Sequence, residues 1–105
     1  MKLFKMKIFL DGERLAPTGW LQVRWPDEVI SYLAKGMVTD ISLDHDLGDD
    51  ARGTGYDVLL WIEQAIVDTG FKPPKINVHT SNPAARIRML AAVEQINRLA
   101  EMKSQ

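Results

Sequence analysis

Residues 38–48 read VTDISLDHDLG, in which Val38, Ile41 and Leu43 give a strand pattern that runs straight into Asp44, His45 and Asp46. The arrangement recurs downstream: INVH alternates as a strand and ends on His79, Thr80, Ser81 and Asn82. It also occurs upstream, where KMKIFL at residues 5–10 stops at the turn signal Asp11 and Gly12. Apolar strands that each end on polar groups, with helical periodicity after two of them, predict an α/β fold. In an open parallel sheet those polar groups collect along the carboxyl edge.

The intervening segments fit this reading. ERLAPTGW has no periodicity and reads as a loop, and LQVRW, residues 21–25, reads as a second short strand. Pro26 suits the first turn of a helix, Asp27 and Glu28 suit its positive end, and Gly36 closes it, so residues 26–36 form the first helix. Val58, Leu59, Ile62, Ala65 and Ile66 mark a second helix, capped by Thr54 or Gly53 and ending before Gly70. FKPPK is a rigid connection to the fourth strand. Asn82 and Pro83 start a third helix carrying Met89, Leu90, Val93, Ile96 and Ala100 to about residue 100, with MKSQ as a frayed tail. The order strand, strand, helix, strand, helix, strand, helix predicts a mainly parallel sheet with right-handed crossovers.

The chain has 105 residues, 46% apolar and 26% charged, enough for one core and one domain spanning residues 1–105. It contains no cysteine, which removes disulfides, thiolate metal sites and a cysteine nucleophile. No stretch approaches the roughly 20 apolar residues of a membrane span, and MKLFKMKIFLDG lacks a cleavage signal, so a cytoplasmic protein is expected. With 13 basic and 14 acidic side chains the net charge of -1 gives no general attraction for nucleic acid.

Asp11, Glu13, Asp44, His45, Asp46 and His79 are therefore the candidates for chemistry, and both histidines of the chain are among them. The carboxylates Asp11, Glu13, Asp44 and Asp46 are oxygen ligands of the kind Mg²⁺ or a similar cation takes. His45 and His79, flanking a phosphorus centre, are of the type that takes a proton from water and gives one to a leaving oxygen. Thr80, Ser81, Asn82 and Arg86 lie where the third helix offers its amino end to an anion, though a helix cap needs the same residue types. Asp44 is also of the type that caps a turn such as LGDDARG, though its place at the strand end favours function. Trp20, Trp25 and Trp61 read as packing, with Trp20 and Trp25 also suited to stack on a base. Gly53 and Gly55 read as turn glycines, too closely spaced for a dinucleotide fingerprint.

LDHDLG, GTGYDVLLWIE and INVHTSNP, together with FLDGER and the PTGW of Pro17 to Trp20, resemble the cyclic-phosphate processing receiver-like family over nearly the whole chain. The resemblance implies a truncated receiver-like (flavodoxin-like) three-layer fold, with Asp44 at the position of the receiver phosphoacceptor. Thr80 or Ser81 matches the receiver hydroxyl residue, and Asp11 with Glu13 the acidic pair. Gly12 departs from relatives that read LDDER. A final strand with its lysine is absent, and a loop replaces the helix between the first two strands, which disfavours phosphorelay signalling. The function implied is a phosphoesterase acting on a cyclic-phosphate RNA end or a cyclic nucleotide. The alternative is a non-catalytic receiver-like module that binds a ligand or partner through the same edge.

Overall fold

In a computed structural model, which describes residues 5–104, the elements follow the predicted order. They are β1 (Met6–Leu10), β2 (Leu21–Val23), α1 (Pro26–Ala34), β3 (Val38–Leu43), α2 (Gly55–Thr69), β4 (Lys75–Val78) and α3 (Pro83–Lys103). Residues 1–4 and 105 lie outside the description, including the first residues of the MKLFKMKIFLDG segment and the end of the MKSQ tail.

Local chemistry sets the boundaries. β2 stops at Val23, two residues short of the LQVRW expectation, because Trp25 is already the cap of α1 and donates its backbone N–H to Glu28 Oε1 at 3.1 Å. Thr54 is the cap of α2: its Oγ1 accepts from Tyr56 N and its own N–H donates to Asp57 Oδ2. Gly70, at φ 70°, closes that helix in the left-handed conformation. α3 begins where Asn82 Oδ1 accepts from Ala85 N at 3.1 Å and continues to Lys103, so Glu101 to Lys103 are helical rather than frayed. Among the described residues no helix is long and apolar enough to cross a membrane.

The four strands are parallel in the order β2-β1-β3-β4. From β1 the chain steps one way to β2, then crosses back over β1 to β3 and continues in that direction to β4. Right-handed connections place α1 and α2 on one face, because both follow steps in the same direction, and α3 packs beside α2. The reverse step, residues 11–20, passes over the opposite face, so the layer a helix would form there is supplied by a loop.

Strand alternation divides the side chains accordingly. Ile8, Leu10, Ile41 and Leu43 are fully buried against Val29, Leu33, Leu59, Ile62, Ile66, Met89 and Ile96 in one hydrophobic core. Each such side chain contributes about 1.5–3 kcal/mol by leaving water. The alternate residues face the loop: Phe9 pairs in register with Ser42, and Ser42 with Asn77; Lys7 pairs with Asp40, and Asp40 with Lys75. Trp20 covers Phe9 edge-on at 6.5 Å, with the Lys7 ammonium 5.6 Å from its ring centre. The carboxyl ends of β1 and β3, from which the chain departs in opposite directions, are where such sheets open a ligand crevice.

Candidate functional site

Asp11 follows β1 and is almost wholly buried. The turn that begins there folds back on it: Oδ1 accepts from the backbone N–H groups of Glu13 at 2.7 Å and Arg14 at 2.8 Å. The other oxygen meets His79 Nε2 at 3.0 Å, across 68 residues of sequence. Burial alone would push the carboxyl up, but the two backbone donors and the His79 ring outweigh it and hold Asp11 below its ordinary value of 3.8.

His79 is fixed on every side. Its Nδ1 lies 2.7 Å from Ser42 Oγ, and that oxygen also accepts from Asn77 Nδ2 at 3.0 Å. The Phe9 ring stacks on the imidazole at 4.2 Å with 6° between planes. Arg14 Nη1 donates to the His79 carbonyl at 3.1 Å. The proton positions follow from the partners. An ionised Asp11 can only accept, so Nε2 carries a hydrogen, and whenever the ring is neutral Nδ1 is the acceptor. Ser42 Oγ, already accepting from Asn77, then donates to Nδ1. The result is a continuous line, Ser42 O–H to His79 to Asp11, whose first two members line a pocket of about 480 Å³ together with Arg14, Trp20, Asp40, Lys75 and Asn77.

A second histidine–carboxylate couple follows β3. His45 Nδ1 meets Asp46 Oδ1 at 2.8 Å, and Asn82 Nδ2 donates to Asp46 Oδ2 at 3.2 Å. The His45 hydrogen bond, with help from Asn82 and the charge of Arg88, holds Asp46 below its ordinary value. His45 Nε2 has no partner among the described residues. No buried side-chain nitrogen or oxygen there lacks one, so Nε2 reaches solvent. The two couples share the sheet edge, but no hydrogen bond among the described residues joins them.

The remaining predicted residues are distributed unevenly. Asp44 directly follows β3, and its Oδ1 accepts from His45 N at 2.8 Å, a turn role. Thr80 is buried and its hydroxyl accepts from Asn82 N, so it serves the turn before α3. Asn82 is committed to capping and to Asp46. Arg86 Nη1 is tied back to the Val78 carbonyl at 3.2 Å. Ser81 is exposed at the amino end of α3. Glu13 is exposed and contributes its backbone N–H to Asp11.

Asp11, Glu13, Asp44 and Asp46 do not converge into a ready donor set for Mg²⁺. Asp11 and Asp46 engage both oxygens in hydrogen bonds, and among the described residues no three histidine, aspartate or glutamate side chains are grouped to hold a metal ion. Sequence reasoning missed Ser42, Asn77, Phe9 and Arg14, all of which contact His79 or the groups that hold it.

The depressed Asp11 carboxyl gives a pH prediction. Its folded value lies below the unfolded one, so its contribution to stability is complete above about pH 4 and is lost as pH falls through the folded value. Urea midpoints followed by circular dichroism are expected to drop below that pH. Asp11→Asn is expected to show a shallower acid limb.

No curated protein and no solved structure matches the chain. The family model described as the cyclic-phosphate processing Receiver domain matches residues 6–95, so the chain, with β1, β3 and β4 leading into Asp11, Asp44 and His79, belongs to that family.

Proposed function

We propose that the chain is a phosphoesterase that opens a cyclic phosphodiester, either the 2′,3′-cyclic phosphate of an RNA end or a cyclic nucleotide. Net hydrolysis breaks one ring P–O bond and adds the elements of water, so one proton must be taken from the attacking group and one given to the leaving oxygen. The observation that carries the reading is the Asp11–His79 couple, in which the ionised Asp11 carboxylate orients an imidazole that lines a pocket. About 480 Å³ falls in the range of pockets that hold small organic ligands, and the lining mixes Trp20 with Arg14, Lys75, Asp40 and Asn77. Trp20 offers a face or edge to a base, and the cations offer charge to a phosphate. His45, oriented by Asp46 and open to solvent at Nε2, is the second proton-transfer group. Ser81 and the start of α3 are suited to an anion beside it.

One observation favours a second reading. Both His79 nitrogens and both Asp11 oxygens already have partners within the chain, as they would in a purely structural network supporting a recognition site. The discriminating experiment is turnover of 2′,3′-cyclic-phosphate RNA ends, 3′,5′-cyclic nucleotides and cyclic di- and oligonucleotides, each with Mg²⁺, Mn²⁺ or chelator. A ring-opened phosphate ester is expected from one class, and the chelator arm reports whether a cation takes part. Tight retention of one ligand without product would move the recognition reading to first place.

A further inference from the structure

We infer that Ser42 is a nucleophile: its Oγ attacks the phosphorus of the substrate and the reaction passes through a covalent phosphoseryl ester. The inference rests on the phosphoesterase reading for its substrate, but the site is defined by its own geometry. Ser42 sits inside β3, a strand flanked on both sides, and points away from the hydrophobic core. Ser42 is only 4% exposed, so its hydroxyl needs an acceptor, and the one it has is a base: Oγ lies 2.7 Å from His79 Nδ1, and the far nitrogen of that ring lies 3.0 Å from Asp11.

A hydroxyl becomes a nucleophile when an adjacent base takes its proton and a third group fixes that base. Each part is present. Asp11 is held ionised by two backbone N–H groups, so it fixes the hydrogen on Nε2 and leaves Nδ1 as the acceptor. Phe9 locks the ring plane. Asn77 Nδ2 donates to Ser42 Oγ and so directs its hydrogen toward Nδ1. Ser42 and His79 both line the pocket, which gives a phosphate an approach to Oγ. The ring is used in the reverse sense to the familiar serine hydrolase triad, with serine on Nδ1 and aspartate on Nε2, but the roles are recognised by geometry rather than by which nitrogen serves.

The step balances. Oγ forms a bond to phosphorus, its proton passes to Nδ1, and one ring P–O bond breaks. The departing ribose oxygen takes the proton from the imidazolium, leaving a diester between Ser42 and the nucleotide. Water then attacks phosphorus with His79 as base, the P–Oγ bond breaks, and Ser42 recovers its hydrogen. Arg14 and Lys75, in the same lining, carry the positive charge that the phosphate oxygens require.

A fluorophosphonate ester tests this without a natural substrate, since it phosphonylates activated serines. Incubated with the whole chain and read by peptide mass spectrometry, it is expected to mark Ser42. Labelling should be absent in Ser42→Ala and slowed by about 100-fold or more in His79→Gln and Asp11→Asn. Ser42→Ala removes only the hydroxyl and leaves the Asn77 amide near the imidazole, so the fold is expected to persist. No adduct on Ser42, or labelling undiminished in His79→Gln, would overturn the inference. So would a Ser42→Ala chain that opens cyclic phosphates at the wild-type rate, while the phosphoesterase reading survived. Labelling of Ser42 in a chain that turns over no cyclic phosphate would uphold the nucleophile and remove the substrate assignment.

Discussion

Asp11→Asn is expected to lower turnover of a cyclic phosphate by about 10⁴-fold while leaving the chain folded. The size is conserved, and the asparagine oxygen can still accept from the N–H groups of Glu13 and Arg14. Its amide NH₂ then faces His79 Nε2, where two donors cannot bond. The hydrogen must move to Nδ1, which turns toward Ser42 Oγ as a donor, and the hydroxyl loses its proton acceptor. The stability cost is that of one hydrogen bond to a charged group, about 1.5–3 kcal/mol, against a total of about 5–15 kcal/mol for a domain. Steady-state kinetics beside urea unfolding separates the two effects. Activity within tenfold of the wild type would show that the direction of the Asp11–His79 bond has no chemical role.

Gly55→Ala is expected to cost about 3 kcal/mol or more, at the upper end of the overpacking range. Gly55 is the first residue of α2 and is buried beneath the end of β3, where its N–H donates to the His45 carbonyl at 3.1 Å. A Cβ there would overlap the Asp44 carbonyl oxygen, approach the Asp44 carbonyl carbon to 2.9 Å and reach 3.1 Å from Met89 Cε. The main obstacle is backbone, which cannot swing aside as a side chain would. Relief requires the 44–54 loop to lift, which carries Asp44, His45 and Asp46 with it. Urea denaturation is the direct measurement, and a midpoint unchanged from wild type would mean that the helix start has room to retreat. Gly53 differs in kind: at φ 119° it is a turn glycine, and a Cβ there would meet side chains, Pro26 Cγ at 2.7 Å and Asp57 Oδ2 at 2.9 Å, whereas at Gly55 the obstacle is backbone.

This contrast bears on what the sequence discloses. Periodicity and caps made the elements legible: Thr54 with Asp57, Asn82 with Pro83, and Gly70 each mark a helix end by local hydrogen bonding that needs no tertiary information. Asp11 and His79 were legible because strand ends converge in a parallel sheet whatever its strand order. Ser42 and Asn77 were not, since a polar residue between Ile41 and Leu43, or between Ile76 and Val78, reads only as ordinary alternation. Their importance depends on which face lacks helices, and that depends on β1 lying inside the sheet, a long-range fact. The phosphate candidates Thr80, Asn82 and Arg86 illustrate the converse: the residue types that bind anions also build turns and caps, and here they hydrogen-bond within the turn, the helix start and the end of β4. The shorter β2 has a local cause that the apolar pattern of LQVRW conceals, because Trp25 is apolar yet serves as a helix cap through its backbone.

Cyclic phosphate is proposed to be opened at the pocket wall by Ser42 and His79, with Asp11 behind the imidazole. The most direct test is the time course of ring opening of the best cyclic substrate by the wild type and by His79→Ala, with circular dichroism on both. A ring-opened product is expected from the wild type and a loss of at least about 100-fold in a folded His79→Ala chain. Equal rates from the two proteins would contradict it and place the chemistry elsewhere on the sheet edge.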